Sequence, residues 1–147
     1  MIRIILEGFF TASYPGVREG LAQLDGFSMA VLTNKPVRFS HAILEGLGLA
    51  GHFRHVYGGN SFERKKPHPM GVEVLLRDFN ATPREAMMVG DSEIDVQTAR
   101  QAGTWACGVT YGLGSARLIE FPPDILLDSL AELPACLADH TAPGAIR

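Results

Sequence analysis

Short apolar runs alternate with amphipathic segments along most of this chain, and that alternation constrains the fold more than any other feature. Apolar and β-branched runs bounded by turn residues are typical of strands, whereas apolar residues spaced three and four apart are typical of helices. The predicted strands are residues 2–6, 29–32, 56–57, 87–89, 105–110 and 125–127. The predicted helices are residues 15–24, 36–48, 69–79, 93–102 and 130–137, with a short helical turn from residue 82.

The order of these elements predicts an α/β fold. The run MAVL, residues 29–32, is apolar at every position, which is the pattern of a strand covered on both faces. Strands that alternate with helices form parallel sheets, so we predict a Rossmann-like α/β/α arrangement of three layers around a mainly parallel sheet. Ligands bind outside the carboxyl ends of such strands. Three places deserve inspection there: Glu7, Thr33-Asn34 and Asp91.

Composition narrows the possible functions. The 147 residues are 46% hydrophobic with a net charge of −3, which suits one globular domain, predicted as residues 1–139 with a loose tail at 140–147. Because 13 basic residues are scattered against 16 acidic ones, we expect no nucleic-acid partner. No apolar run approaches the ~18 residues of a membrane span, so we expect no membrane partner. Cys107 and Cys136 are read as free thiols, which favours a cytoplasmic protein.

The stretch MMVGDSEID, residues 87–95, places two aspartates after a predicted buried strand. Gly90 lets the chain turn, so Asp91 projects from the strand end and Asp95 lies on the first turn of the next helix. Carboxylates, completed by water and substrate phosphate, are the usual ligands of Mg²⁺. Ser92-x-x-Asp95 is also a capping box, so capping and metal binding both remain open for Asp95. Asp91 lies outside that alternative and is the stronger metal candidate.

Two further stretches provide groups that suit a phosphate. In AVLTNKP, residues 30–36, Thr33 and Asn34 precede a helix, where hydroxyl, amide and main-chain N–H groups can bind an anion; the alternative is that either residue only caps the helix. In RKKPHP, residues 64–69, the two prolines keep the backbone extended, so Lys66 can be held rigidly near the strand ends. The alternative for Lys66 is a solvated surface lysine.

In this order, the motifs resemble those of the haloacid dehalogenase superfamily of phosphatases, and most closely its phosphoglycolate phosphatase branch. The matching stretches are YPGVREGLAQL (14–24), AVLTNKP (30–36), YGGNSFERKKPHP (57–69), MMVGDSEIDVQTARQAG (87–103), GVTYGLGS (108–115) and DILLDSLAEL (124–133). The resemblance implies that Thr33 and Asn34 bind the phosphoryl group of a phosphorylated small molecule. It also implies that Lys66 stabilises this group and the nucleophile, and that Asp91, helped by Asp95, holds Mg²⁺.

The chain departs from the family pattern at its start. The family attacks phosphorus with the first aspartate of a DxDGT motif after the first strand, uses the second as general acid, and mostly inserts a helical cap thereafter. Here IRIIL is followed by EGFFTAS, which contains no DxD and leaves no room for a cap before YPGV. In one interpretation IRIIL is the first strand, and Glu7 and Thr11 take the places of nucleophile and threonine. In the other, the chain begins inside the last cap helix; we prefer the first.

The expected function follows from both the resemblance and the departure. We expect a capless relative of phosphoglycolate phosphatases that keeps its phosphate and Mg²⁺ site, with Lys66 as a catalytic group and Glu7 as a weak candidate nucleophile. Phe9 stands where the general acid would be, so hydrolysis is expected to be weak or absent. The alternative is a non-catalytic module that binds phosphate and metal or a protein, with possible self-association through the surface uncovered by the missing cap, where Phe9, Phe10 and Tyr14 would lie.

Overall fold

The computed structural model describes residues 2–7, 16–111 and 115–140. Within these residues six strands form one parallel sheet in the order β3-β2-β1-β4-β5-β6. The strands are β1 (Arg3–Leu6), β2 (Met29–Leu32), β3 (His55–Tyr57), β4 (Ala86–Gly90), β5 (Trp105–Val109) and β6 (Ile125–Leu127). The predicted strands and the predicted parallel α/β fold are therefore confirmed.

The helices connect these strands as the sequence predicts. They are α1 (Val17–Gln23), α2 (Val37–Leu47), α3 (Met70–Asp78), α4 (Glu93–Ala102) and α5 (Leu133–His140). Gly48 and Gly103 follow α2 and α4 with φ angles of 71° and 81°, a left-handed conformation that glycine adopts without steric cost. Both glycines end their helices where the sequence predicts.

Four short 3-10 helices among the described residues refine the predicted boundaries. Two of them, Ala50–His52 and Ser115–Ile119, were not predicted. The third, Leu130–Glu132, replaces the first turn of the helix predicted at 130–137. The physical reason is Pro134, which has no N–H to donate to the carbonyl group of residue 130, so α-helical hydrogen bonding cannot run through this turn. The predicted turn after Thr82 is a 3-10 helix, Pro83–Glu85, with a capping box.

The first strand lies at the centre of the sheet. β1 pairs in parallel with β2 on one side and with β4 on the other, and Leu6 is level with Val31 and Val89. Residues 3–6 are thus a strand, as preferred, and the alternative of a cap helix is wrong. Ten residues, 7–16, connect β1 to α1, and most of them lie outside the described residues.

Side chains of the sheet point alternately into two cores. Ile4 and Leu6 pack on one face among residues of α1, α2 and α5, whereas Ile5 packs on the other among residues of α3 and α4. All three are fully buried. The helices thus cover both faces, and the carboxyl ends of β1, β2 and β4 remain together at one edge.

Several expectations stay predictions. The domain boundary at residue 139 is one of them, and residues 141–147 lie outside the described part of the chain.

Cys107 and Cys136 are free thiols, and burial raises the pKa of Cys107 far above its ordinary value, so Cys107 acts as a small apolar core residue. Among the described residues, no helix combines the length and apolar character that crossing a membrane requires.

Candidate active site

The central strands bring the predicted residues to one edge of the sheet. Glu7 directly follows β1, and its main-chain N–H donates to the carbonyl oxygen of Val89 at 2.9 Å, which extends the ladder with β4. Thr33 follows β2 and its N–H donates to the carbonyl oxygen of Tyr57 at 3.1 Å. Asp91 follows β4. Residues far apart in sequence therefore share one edge because their strands are neighbours in the sheet.

Lys66 lies at the centre of this group. Its ammonium forms ion pairs with Glu7 Oε2 and with Asp95 Oδ1, the second at 2.6 Å. The side chains of Lys66, Glu7 and Asp95 are 2%, 18% and 3% exposed, so the alternative of a solvated surface lysine is wrong. Burial lowers the pKa of Lys66, and attraction by Asp95 and Asp91 opposes that shift. A buried lysine whose pKa is shifted by burial and by specific charged partners marks a candidate functional site.

Asp95 has two roles in the structure. Its Oδ2 accepts from the hydroxyl group of Ser92 at 3.1 Å and from the main-chain N–H of Ser92 at 3.3 Å, which forms the predicted capping box at the start of α4. Its Oδ1 is bonded to Lys66. A Cβ at Gly90 would lie only 2.1 Å from Asp95 Oδ2, so glycine is required for this close approach. Capping is therefore established for Asp95, together with an ion pair that the sequence did not reveal.

The carboxylates at this edge suit a Mg²⁺ ion in kind but form only part of a ligand set. Across residues 2–7, 16–111 and 115–140, no three acidic, histidine or cysteine side chains are grouped so as to hold a metal ion. Mg²⁺ usually takes one or two carboxylates and completes its octahedron with water and phosphate oxygens. Asp91, half-buried beside Lys66, and Asp95 fit that partial role.

Asn34 contacts the loop that carries Lys66. Its Nδ2 donates to the carbonyl oxygen of Lys66 at 3.0 Å, and its Oδ1 accepts from the N–H of Lys66 at 3.0 Å. Thr33 Oγ1 accepts from the N–H of Lys35 at 3.2 Å, and Thr33 is 1% exposed. The structure thus brings Thr33, Asn34 and Lys66 together. The side chain of Asn34 is bonded to the main chain of Lys66.

A second amide side chain in this region, that of Asn60, was not predicted from the sequence. Asn60 Oδ1 accepts from the N–H of Val37 at 2.9 Å, at the start of α2, and the N–H of Gly59 donates to the carbonyl oxygen of Lys35 at 2.7 Å. The signal in the sequence is the run GGNS, residues 58–61, whose glycines allow close approach. A Cβ at Gly58 would lie 2.4 Å from the main-chain nitrogen of Val37.

The remaining site predictions concern neighbouring residues. His68 Nδ1 accepts from the N–H of Met70 at 3.1 Å, so His68 helps to start α3. Phe9, Phe10, Thr11 and Tyr14 lie outside the described residues.

A family model described as "Haloacid dehalogenase-like hydrolase" matches residues 6–109, which is more than half of the chain and includes Glu7, Lys66 and Asp95. The chain belongs to this family. It is 42% identical over 123 residues to a phosphoglycolate phosphatase of Vibrio vulnificus, covering 82% of this chain and 54% of that protein. It is 39% identical over 130 residues to a phosphoglycolate phosphatase of Pseudomonas putida, covering 86% of this chain and 48% of that protein.

Solved structures agree with this assignment. A predicted phosphoglycolate phosphatase of Haemophilus somnus superimposes with a TM-score of 0.80 at 34% identity, over 84% of this chain and 56% of that chain. A putative β-phosphoglucomutase of Thermotoga maritima superimposes with a TM-score of 0.73 at 29% identity, over 84% and 59% of the two chains. The resemblance to the phosphoglycolate phosphatase branch is confirmed. The chain spans about half the length of the curated relatives it matches.

Proposed function

We propose that this chain is the core of a phosphoglycolate phosphatase-like hydrolase that binds a phosphorylated small molecule at the carboxyl edge of its sheet. The observation that carries the proposal is the buried ammonium of Lys66, held between Glu7 and Asp95 where β1 and β4 end. Relatives at 39–42% identity named phosphoglycolate phosphatase support the substrate class. Because the chain matches only about half of their length, its substrate and its turnover are part of this proposal.

Three groups would bind the phosphoryl oxygens. The Lys66 ammonium supplies a positive charge in a water-poor place, where charge-assisted hydrogen bonds to phosphate are strong. The Thr33 hydroxyl accepts from Lys35 and therefore has its own hydrogen to donate to a phosphoryl oxygen. Asn34 would bind a phosphoryl oxygen through its main-chain N–H, which lies close to the N-terminus of α2. N–H groups and the helix dipole favour anions there. The oxygens would thus be bound from two loops.

Mg²⁺ would be bound by Asp91, with Asp95 assisting. When bound, the ion would neutralise phosphate charge that would otherwise be repelled by the carboxylates. Lys66 performs part of that task without the ion, since its ammonium already screens Glu7 and Asp95 from each other. The cytoplasmic location and the lack of nucleic-acid and membrane partners remain predictions.

Hydrolysis is proposed to be weak or absent because of position 7. Glu7 follows the first strand, where the family places its nucleophilic aspartate, and its carboxylate contacts Lys66. Glutamate is one methylene longer than aspartate, and a displacement of ~1 Å from attack geometry costs about 10²-fold in rate. In sequence, Phe9 stands where the family places its general acid, whose loss removes a further ~10²–10⁴-fold.

The ion pair of Glu7 also favours a second candidate function. A carboxylate at position 7 keeps Lys66 paired even when it does not attack phosphorus, which preserves the architecture of a phosphate site without its chemistry. The chain would then be a non-catalytic module that binds phosphate, metal or a protein partner. Self-association through a surface uncovered by an absent cap belongs to this proposal, and light scattering on the purified chain tests it: a strict monomer contradicts self-association.

The deciding experiment combines turnover with Mg²⁺ binding. Hydrolysis of an aryl phosphate and of phosphoglycolate is measured with and without Mg²⁺ for the wild-type chain, Asp91→Asn, Glu7→Gln and Glu7→Asp. Calorimetry on the same proteins gives Mg²⁺ affinity. We expect little turnover by the wild type, a gain for Glu7→Asp, and loss of Mg²⁺ binding for Asp91→Asn. Asp25→Asn is the matched control, because Asp25 precedes β2 at the opposite edge and pairs with His52.

Each outcome decides between the candidates. Turnover that requires Mg²⁺, Asp91 and Glu7 identifies a working phosphatase with glutamate as nucleophile. Mg²⁺ and phosphate binding without turnover identifies the non-catalytic module. Wild-type Mg²⁺ affinity in Asp91→Asn contradicts the metal site, and full turnover by Glu7→Gln excludes Glu7 as nucleophile.

A further inference from the structure

We propose that Asn34 is the positioning residue for Lys66: its side-chain amide holds the main chain of residue 66 and thereby directs the lysine ammonium to Glu7 and Asp95. Extending this role to a bound phosphoryl group rests on the proposed function. The role inferred for the Asn34 side chain differs from direct phosphate binding, because it acts through another residue.

The evidence is a reciprocal pair of hydrogen bonds across 32 residues of sequence. The amide nitrogen and the amide oxygen of Asn34 bond to the C=O and the N–H of the same residue, both at 3.0 Å. Two bonds from one planar group fix both the position and the rotation of the main chain at Lys66. The amide carries its donor and its acceptor on two separate atoms, so it reaches both points at once, which a single hydrogen bond cannot do.

Lys66 needs this support because it lies outside the helices and strands. It belongs to the segment between β3 and α3, so no ladder of main-chain hydrogen bonds fixes it. Its long side chain is 2% exposed, although lysine normally keeps its ammonium in water. Burial also removes most of the conformational freedom of the lysine side chain. The Asn34 clamp anchors the lysine main chain, so that the ammonium stays beside the carboxylates.

Other contacts hold the same two segments together but do not touch Lys66. Gly59 donates to the carbonyl oxygen of Lys35, and Asn60 accepts from Val37. A Cβ at Gly59 would lie 2.1 Å from the carbonyl oxygen of Asn34, so the segments are in close main-chain contact there. Asn60 is therefore a matched control for Asn34: it has the same side chain, joins the same segments and bonds to a different amide.

Hydrogen exchange of individual amides tests the clamp directly. In Asn34→Ala we expect exchange of the Lys66 amide to accelerate about tenfold or more, because its acceptor is lost. Asn34→Asp keeps the acceptor for the Lys66 N–H but loses the donor to the Lys66 carbonyl oxygen, so Lys66 amide protection should lie between that of Asn34→Ala and that of the wild type. Asn60→Ala should instead release the Val37 amide and leave that of Lys66 protected. A uniform acceleration of all amides, equal in Asn34→Ala and Asn60→Ala, would overturn the proposal.

Chemical labelling then follows the side chain. The chain contains three lysines, and Lys35 and Lys65 serve as internal references for Lys66 during brief acetylation at one fixed pH. We expect Asn34→Ala to raise the labelling of Lys66 about tenfold relative to the two references. Unchanged relative labelling would show that the ammonium is held without Asn34, and would contradict the positioning role.

Inorganic phosphate separates this inference from the proposed function. If phosphate binds and protects Lys66 in the wild type but not in Asn34→Ala, both are supported. If wild-type Lys66 is unaffected by phosphate while Asn34→Ala still releases the Lys66 amide and side chain, the clamp is supported and the phosphate site is contradicted. If Asn34→Ala binds phosphate as the wild type does and keeps Lys66 protected, the clamp is contradicted and the phosphate site stands.

Discussion

Two capping boxes with the same sequence pattern perform different tasks in this molecule. Ser92 and Asp95 begin α4, and Ser129 and Glu132 form the turn before α5, each with a serine followed three residues later by an acid. Glu132 is exposed, and its Oε1 accepts from two main-chain N–H groups, those of Asp128 and Ser129 at 2.8 Å. Asp95 is buried and also binds Lys66.

The difference shows that partners distant in sequence decide the role of a local motif. Both boxes even lie against a glycine, since a Cβ at Gly90 would meet Asp95 and a Cβ at Gly16 would meet Ser129 Oγ at 2.1 Å. Of the two boxes, only that of Ser92 and Asp95 follows a strand with a neighbouring strand on each side. Only its acid binds a lysine, which lies 29 residues away in the sequence. A capping acid that follows a central strand and lies beside a buried lysine thereby becomes part of a charged site.

The largest expected effect comes from removing the acid of the buried box. Asp95→Ala removes the acid's half of the capping box of α4 and leaves the buried Lys66 with one ion-pair partner fewer. Breaking a buried ion pair costs about 3–5 kcal/mol, and we expect the free energy of unfolding to fall by about 3 kcal/mol, since Glu7 remains. Urea unfolding followed by circular dichroism measures this change.

Asp95→Asn is the control that separates the two roles. Its side-chain oxygen can still cap α4, but its negative charge is lost. A loss of stability close to that of Asp95→Ala would assign the effect to the ion pair. Wild-type stability in Asp95→Asn would contradict the importance of the ion pair and reduce the buried box to an ordinary cap.

Much of this comparison could be predicted from local sequence and some of it could not. Strand β2 and the glycine stops at Gly48 and Gly103 follow from apolar runs and left-handed backbone conformation, which depend on neighbouring residues alone. That residues 3–6 form the first strand followed from their apolar character and from resemblance, whereas the central position of this strand is a finding of the structure. In contrast, the Asn34–Lys66 clamp joins residues 32 apart, and either side chain is equally compatible with a solvated loop until the loops meet.

Gly90 provides a second way to test why the buried box differs. Gly90→Ala places a Cβ within 2.1–2.5 Å of Asp95 side-chain atoms, so Asp95 must move away from Lys66. Overpacking of this kind costs about 1–3 kcal/mol, and we expect a loss of about 2 kcal/mol in urea unfolding. A matched alanine at Gly46, where a Cβ meets nothing within 4 Å, should not destabilise the chain. Equal stability of the two variants would contradict the close approach.

The exposed box should give a smaller effect. Glu132→Ala removes the acceptor for two main-chain N–H groups that water can reach, so we expect a loss of about 1 kcal/mol, as is usual for capping interactions. Urea unfolding of Glu132→Ala beside Asp95→Ala measures the difference. A loss as large as that of Asp95→Ala would mean that burial and Lys66 add nothing, and the comparison between the two boxes would fail.

The smallest effect concerns an exposed carboxylate with a neutral partner. Asp78, the last residue of α3, accepts from the Tyr57 hydroxyl at 2.6 Å, and this hydrogen bond, with some burial and the charge of Asp78, raises the pKa of Tyr57. A raised pKa in the folded state means that the stabilisation is complete below the unfolded value near 10 and is lost as pH rises through the folded value. Absorbance titration of phenolate should show a component that ionises late, and Tyr57→Phe should remove that component. An unshifted pKa for Tyr57 would show that the exposed carboxylate of Asp78 does not keep a stable hydrogen bond even with a neutral donor. The contrast with the buried Asp95 would then be sharper.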